Sequence, residues 1–196
     1  MKVAFGLKAH SGWAALVVLA KDQDQYVVVD RCRVELVEES WQKQPYHAAE
    51  DLEPTVARSL VKRGISAADR VALREMKRAI KREQKRDNEV IGCGVLVTDP
   101  MPDWSIDEIL AVHFRMHKAE GVLFRDALAH AAQSAGLRFV GIAEKELITY
   151  AQKLLRYSSE DLARVVGQLG KSVGAPWGKD QKEAATSAMI AYAKNS

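Results

Sequence analysis

The chain opens on three apolar stretches separated by short polar breaks. Val3-Ala4-Phe5-Gly6-Leu7 runs into Lys8-Ala9-His10-Ser11-Gly12, and Trp13-Ala14-Ala15-Leu16-Val17-Val18-Leu19 follows at once. After Lys21-Asp22-Gln23-Asp24-Gln25 a third apolar run begins at Tyr26 and passes into alternation. Val34 and Leu36 face one side there, Arg33 and Glu35 the other. Strands joined by such short turns predict an antiparallel meander over residues 2–8, 13–20 and 26–37.

From Tyr46 the period changes. Ala48, Leu52, Val56, Leu60 and Val61 recur at helical spacing, with Pro54 marking a start or a kink. Gly64 reads as the C-terminal cap of this helix, and Ser66 with Asp69 as the near capping box of a second one. The second helix passes through Val71, Leu73, Met76 and Ile80 to about Arg86. The near-continuous apolar run Val90 to Val97 has the character of a strand covered on both faces. Two prolines, Pro100 and Pro102, end it. Ser105 and Glu108 make an S-x-x-E box opening a helix whose buried side is marked by Ile109, Leu110, Val112 and Phe114. A further helix is expected from about Ala119 to Ser134, then a last strand, Leu137 to Ile142. Strand, helix, strand in that order makes the two strands parallel. Glu144 to Tyr157 reads as helix. Ser158 or Ser159 caps another, the glycines at 167, 170 and 174 loosen the chain into a loop, and a terminal helix starts near Lys179.

The sum is an α/β chain with a five-stranded mixed sheet flanked by helices. A length of 196 residues at 47% hydrophobic content fits one domain over 1–196, with a helical segment 46–87 between strands three and four. The net charge of +3 is weak evidence about partners, because clustering matters more than the sum. The clustering is in one place. Arg74, Lys77, Arg78, Lys81, Arg82, Lys85 and Arg86 recur at spacings of three and four, interrupted only by Glu75 and Glu83. Such a stripe either tracks phosphates or is a solvated, salt-bridged helix face. Cys32 and Cys93 form no CxxC pair and read as two reduced buried thiols. The first apolar run is broken by Lys8 and His10 and is not expected to act as a leader, and no run approaches the ~18 apolar residues of a membrane span. A cytoplasmic location is the expectation.

Three motifs carry a resemblance. Gly6-Leu7-Lys8-Ala9-His10-Ser11-Gly12-Trp13 looks like a G-I-D-P-G-S-x-x-G strand and turn. Ala119-Glu120-Gly121 and the later Ile142-Ala143-Glu144-Lys145-Glu146-Leu147 look like the A-R-G and P-x-E-V-K pieces of a helix-strand-helix unit. Lys182-Glu183-Ala184-Ala185-Thr186-Ser187-Ala188-Met189-Ile190-Ala191-Tyr192 looks like a closing D-A-L-A-I-A helix. In that order they resemble the ribonuclease H-like superfamily, and most closely the RuvC-like Holliday-junction resolvases. The resemblance implies carboxylates on strand one, strand four and the last helix that hold divalent ions such as Mg²⁺ for phosphodiester cleavage. It also implies structured nucleic acid as partner and, by family analogy, a homodimer.

Set on this sequence, the strand-one aspartate is Lys8, strand four offers Cys93 or Gly94, and the last-helix aspartate falls near Ala185 or Thr186. Hard divalent ions need oxygen ligands. The expectation is therefore a RuvC-like, catalytically degenerate protein that binds structured nucleic acid. The alternatives are a metal-dependent nuclease with a relocated site, a small-ligand protein, or a scaffold without nucleic-acid function. A relocated pocket would draw on Lys8, His10, Glu120 and Asp180 as catalytic groups, with Asp180 or Glu183 standing in for the missing last-helix carboxylate. Asp99, His117, Glu120 and Asp180 would be the metal ligands, with Lys182 nearby. His113, His117 and Glu120 fall at i, i+4 and i+7 and share a helix face, which suits either a transition metal or plain packing. Trp104 and Trp177 read as local core plugs or as base-stacking platforms. No G-x-x-x-x-G-K-[ST] loop is present, which excludes a P-loop enzyme.

Overall fold

The computed structural model describes residues 1–196. Three long strands, β1 (Lys2–His10), β2 (Trp13–Asp22) and β3 (Gln25–Glu35), form the expected meander. β4 (Glu89–Val97) and β5 (Phe139–Ala143) complete one sheet in the order β3-β2-β1-β4-β5. The first two pairings are antiparallel, whereas β1–β4 and β4–β5 are parallel. The α/β architecture with a five-stranded mixed sheet is therefore as expected.

Helices cover both faces. α1 (Pro54–Gln84) and α3 (His113–Ser134) pack on the side to which Val3, Phe5, Leu7 and Ala9 point. α4 (Leu147–Leu155), α5 (Ser159–Val173) and α6 (Lys179–Asn195) pack on the other, against Ala4, Val17 and Leu19. α2 (Ile106–Leu110) is one short turn opened by the Ser105/Glu108 box. None of the helices is long and apolar enough to cross a membrane.

α6 makes the closest approach. A Cβ on Gly6 would lie 1.9 Å from the Ala184 carbonyl oxygen, and one on Gly94 would lie 2.5 Å from that of Ser187. Glycine on the strands and alanine on the helix (Ala184, Ala185, Ala188, Ala191) let two backbones meet almost directly. Helix position is then set by main-chain contact, which leaves little room for adjustment.

Several expectations are corrected. α1 is one continuous helix of 31 residues, not two. Gly64 is not a cap: its missing side chain admits Pro45, whose Cβ would be 2.5 Å from any added Cβ. Ser66 is an exposed mid-helix residue. Residues 46–53 are mostly irregular, with a three-residue 3-10 turn at His47–Ala49, and Pro54 occupies the first helical turn where its missing N–H costs nothing. α3 begins at His113, and Val112 and Phe114 are exposed at 40% and 72% instead of buried. α5 runs through Gly167 and Gly170. Gly170 is there because Trp177 packs onto it and donates from Nε1 to the Val166 carbonyl at 3.0 Å. Trp177 is thus a core plug. Trp104 is half-buried beneath the Arg115 guanidinium, 4.5 Å from its ring. Cys93 is buried and Cys32 half-buried, both as free thiols, and burial pushes Cys93 up to about 12.

Candidate functional site

The parallel strands β1, β4 and β5 end on one edge of the sheet, and the N-terminus of α6 reaches over that edge. In parallel α/β sheets this edge is where ligand crevices form. A cavity of about 440 Å³ opens there, lined by Val97, Thr98, Asp99, Ala143, Glu144, Lys145, Lys179 and Glu183.

Lys8 sits at its root. Strand alternation turns Lys8 toward the α6 face, and it is 4% exposed. Its ammonium is ion-paired with Glu144, just past β5, and lies 3.1 Å from Oε2 of Glu183 on α6. Glu144 also accepts from Arg125 of α3 at 2.8 Å, and Lys179 lies 3.6 Å from the other Glu183 oxygen. Four elements therefore meet through one alternating set of charges. Such a set holds a lysine in a place water barely reaches only because two carboxylates answer it. One turn on, His10 Nε2 lies 2.9 Å from Asp180, and its ring stacks on Trp13 at 4.4 Å. The same Trp13 ring also carries the Arg33 guanidinium, 4.0 Å from its centre.

Burial alone would raise the Glu144 carboxyl, but Lys8 and then Arg125 outweigh it and hold the group below its ordinary value. A depressed carboxylate stabilises the fold in full above the unfolded value of ~4.3 and loses that contribution as pH falls through the folded one. Glu144→Gln is accordingly expected to flatten the loss of stability between about pH 5 and pH 3, measured as urea midpoint against pH. Parallel curves for the two proteins would reject this assignment.

The site residues expected from sequence do not form one pocket. Lys8, His10 and Asp180 lie together at the strand ends. Asp99 lies on the rim of the same cavity, paired with Lys145 at 3.1 Å, and Lys182 is exposed. Glu120 and His117 belong to another cluster. The Glu120 carboxylate is buried and accepts from the backbone N–H groups of Tyr46 and His47 at 3.1 and 3.0 Å. Its other oxygen is 2.6 Å from Nδ1 of His47. It is turned toward the 44–47 segment, and it also lines a smaller cavity of about 180 Å³ together with His10 and Arg125.

Ala185 and Thr186, where the family's aspartate would fall, are buried within α6. The carboxylates this helix brings to the site are the two stand-ins, Asp180 and Glu183. Glu144 and Arg125 were not picked out by sequence. The one signal for Glu144 is its place directly after the last strand, in the segment that looks like P-x-E-V-K. On β4, Cys93 points into the α1/α3 core and Gly94 lies under Ser187, so neither offers an oxygen. A cation at the centre of the carboxylates is the wrong lining for a divalent ion, and the residues present do not fit one there.

The basic stripe on α1 divides in two. Arg74 pairs with Glu38 and with Glu75, Arg78 with Glu75, and Arg82 and Arg86 with Asp30 on β3. Arg74, and then Arg70, hold the exposed Glu38 carboxyl below its usual range. Lys77, Lys81 and Lys85 stand exposed outside these pairs, four residues apart on one face. Toward the N-terminus the same helix lines a groove of about 710 Å³ with Arg58, Lys62, Arg63 and Arg70, beside Trp41. Sequence reading stopped at Arg74 and missed this extension.

This topology agrees with solved structures. A structure of T. thermophilus RuvC in complex with Holliday junction substrate is similar over 97% of this chain and 92% of that chain, with TM-score 0.52 and 12% identity. A second Thermus thermophilus RuvC structure gives TM-score 0.51 and 13% identity, over 96% and 92%. No family model and no curated protein matches the sequence. At this identity the likeness defines the fold: the chain has the ribonuclease H-like fold, in the form seen in RuvC.

Proposed function

We propose that this protein binds structured nucleic acid along the outer face of α1 and does not cleave it at the strand-end site. The observation that carries the reading is the row of unpaired cations Lys77, Lys81 and Lys85, with Lys62 and Arg63 also exposed nearer the N-terminus of the same helix. Exposed cations without carboxylate partners gain from phosphate contact through counterion release, whereas the paired arginines have little charge left to offer. Trp41 in the groove supplies an aromatic face of the kind on which bases stack. The absence of cleavage follows from Lys8, whose charge takes up the two carboxylates that would otherwise be free for a metal.

The test is an electrophoretic shift against four-way junction, duplex and single-stranded probes of DNA and RNA at low salt. The wild type is expected to shift the junction. Lys77→Glu, Lys81→Glu and Lys85→Glu together should weaken binding and reduce the salt slope by about 2.7 on duplex arms. No affinity for any probe at low salt would end the proposal. Cleavage in Mg²⁺ or Mn²⁺ that Glu183→Gln abolishes would replace it with a working nuclease site.

A further inference from the structure

His47 stands in the turn before α1, and His113 and His117 stand on the first two turns of α3. The fold brings one ring nitrogen of each to within 4.8 Å of the others. Nε2 of His113 and Nε2 of His117 are 3.0 Å apart. Two imidazoles on one tetrahedral ion, each at ~2.0–2.1 Å, place their nitrogens about 3.3 Å apart, so the pair needs little adjustment.

The groups behind the rings matter as much. Glu120 lies 2.6 Å from Nδ1 of His47, with its side chain 4% exposed and pinned by two backbone N–H groups. Glu50 stands in the same relation to Nδ1 of His113, at 3.4 Å. A carboxylate behind Nδ1 keeps the proton there and leaves Nε2 with a free lone pair, which is how metal-binding histidines are oriented. Plain packing histidines have no need of a buried carboxylate so placed. The donor set is three neutral imidazoles without thiolate, which suits zinc and its neighbours and is poor for Mg²⁺ or Ca²⁺.

We propose that His47, His113 and His117 bind one divalent transition-metal ion, with Glu120 and Glu50 orienting two of the three rings. His113 is 63% exposed, so the fourth coordination position opens to solvent and accepts water or an exchangeable ligand. The ion would tie the 47–49 turn to the start of α3. The proposal is independent of nucleic-acid binding on α1.

The experiment uses the full chain, stripped with chelator and titrated with Zn²⁺ by calorimetry and with Co²⁺ by visible absorption. Expected are one ion per chain, intense tetrahedral cobalt bands and a rise in melting temperature. His117→Ala and His47→Gln should each weaken Zn²⁺ at least ~10-fold, and Glu120→Gln by about 10–100-fold. No saturable uptake would overturn the proposal, as would unchanged affinity in His47→Gln, which would leave only a pair of surface histidines on α3. Should His47→Gln fail to fold, imidazole ¹⁵N shifts of the wild type decide. Zn²⁺ must move all three rings, and movement of His113 and His117 alone refutes the site.

Discussion

Lys8→Met is expected to lower the unfolding free energy by about 3 kcal/mol, read from urea denaturation at neutral pH. Removing one partner of a buried ion pair costs ~3–5 kcal/mol because the other charge is left without an answer. The lower end applies because Glu144 keeps Arg125 and both carboxylates retain some solvent, at 29% and 18% exposure. A loss below about 1 kcal/mol would mean that the cluster is solvated and that Lys8 does not organise it. Lys8→Asp asks a sharper question. It puts a third carboxylate between Glu144 and Glu183, with Asp180 one turn away. That variant should be less stable than Lys8→Met without divalent ions and regain part of the loss in Mg²⁺, which three imidazoles hold poorly, while the wild type gains nothing. An equal response in both proteins would show that the lysine does not exclude the metal.

Gly6→Ala should be more damaging still. An added methyl would lie 1.9 Å from the Ala184 carbonyl oxygen and 2.5 Å from the Ala188 nitrogen. Both are backbone atoms of a helix buried along most of its length, so no rotamer change can relieve the clash. The expected cost is over about 4 kcal/mol, or failure to fold, beyond the ~1–3 kcal/mol usual for overpacking. Gly167→Ala supplies the contrast. Nothing lies within 4 Å of its Cβ position inside α5, and replacing glycine in a helix interior should stabilise by about 0.5–1 kcal/mol. Equal melting temperatures for the two variants would show that α6 is not seated as described.

The meander and the parallel pair were legible because each strand announces itself locally, by apolar alternation or by an apolar run bounded by polar turns. Helix ends were less so. Gly64 and Ser66 spell a stop and a start, yet both lie inside one helix, since the reason for the glycine is Pro45, nineteen residues earlier and in no periodic relation to it. The loop expected at Gly167 and Gly170 failed for a like reason, in that the neighbour of Gly170 is Trp177. The site was half legible. Lys8, His10 and Asp180 were named because they sit in or beside recognisable motifs. Glu183 was open as an alternative to Asp180, and the structure brings both to the strand ends. Glu144 and Arg125 were not proposed, because their pairing exists only after β5 and α3 are laid beside β1. His47 shows the same limit: two histidines four apart on a helix are visible in a sequence, and the third, arriving from another element, is not.

The close seating of α6 on β1 and β4 has a consequence for what can change at position 8. The height of Asp180 and Glu183 above the sheet is set by one main chain resting on another, at Gly6 and Gly94, and not by the side chain of Lys8 between Glu144 and Glu183. Position 8 is a socket in a rigid frame. A cation, a carboxylate or a neutral residue placed there meets the same neighbours at the same spacing, and what alters is the charge the frame encloses. The residue at position 8 thus sets the charge that this edge of the sheet encloses, while the seating of α6 on β1 and β4 rests on other positions.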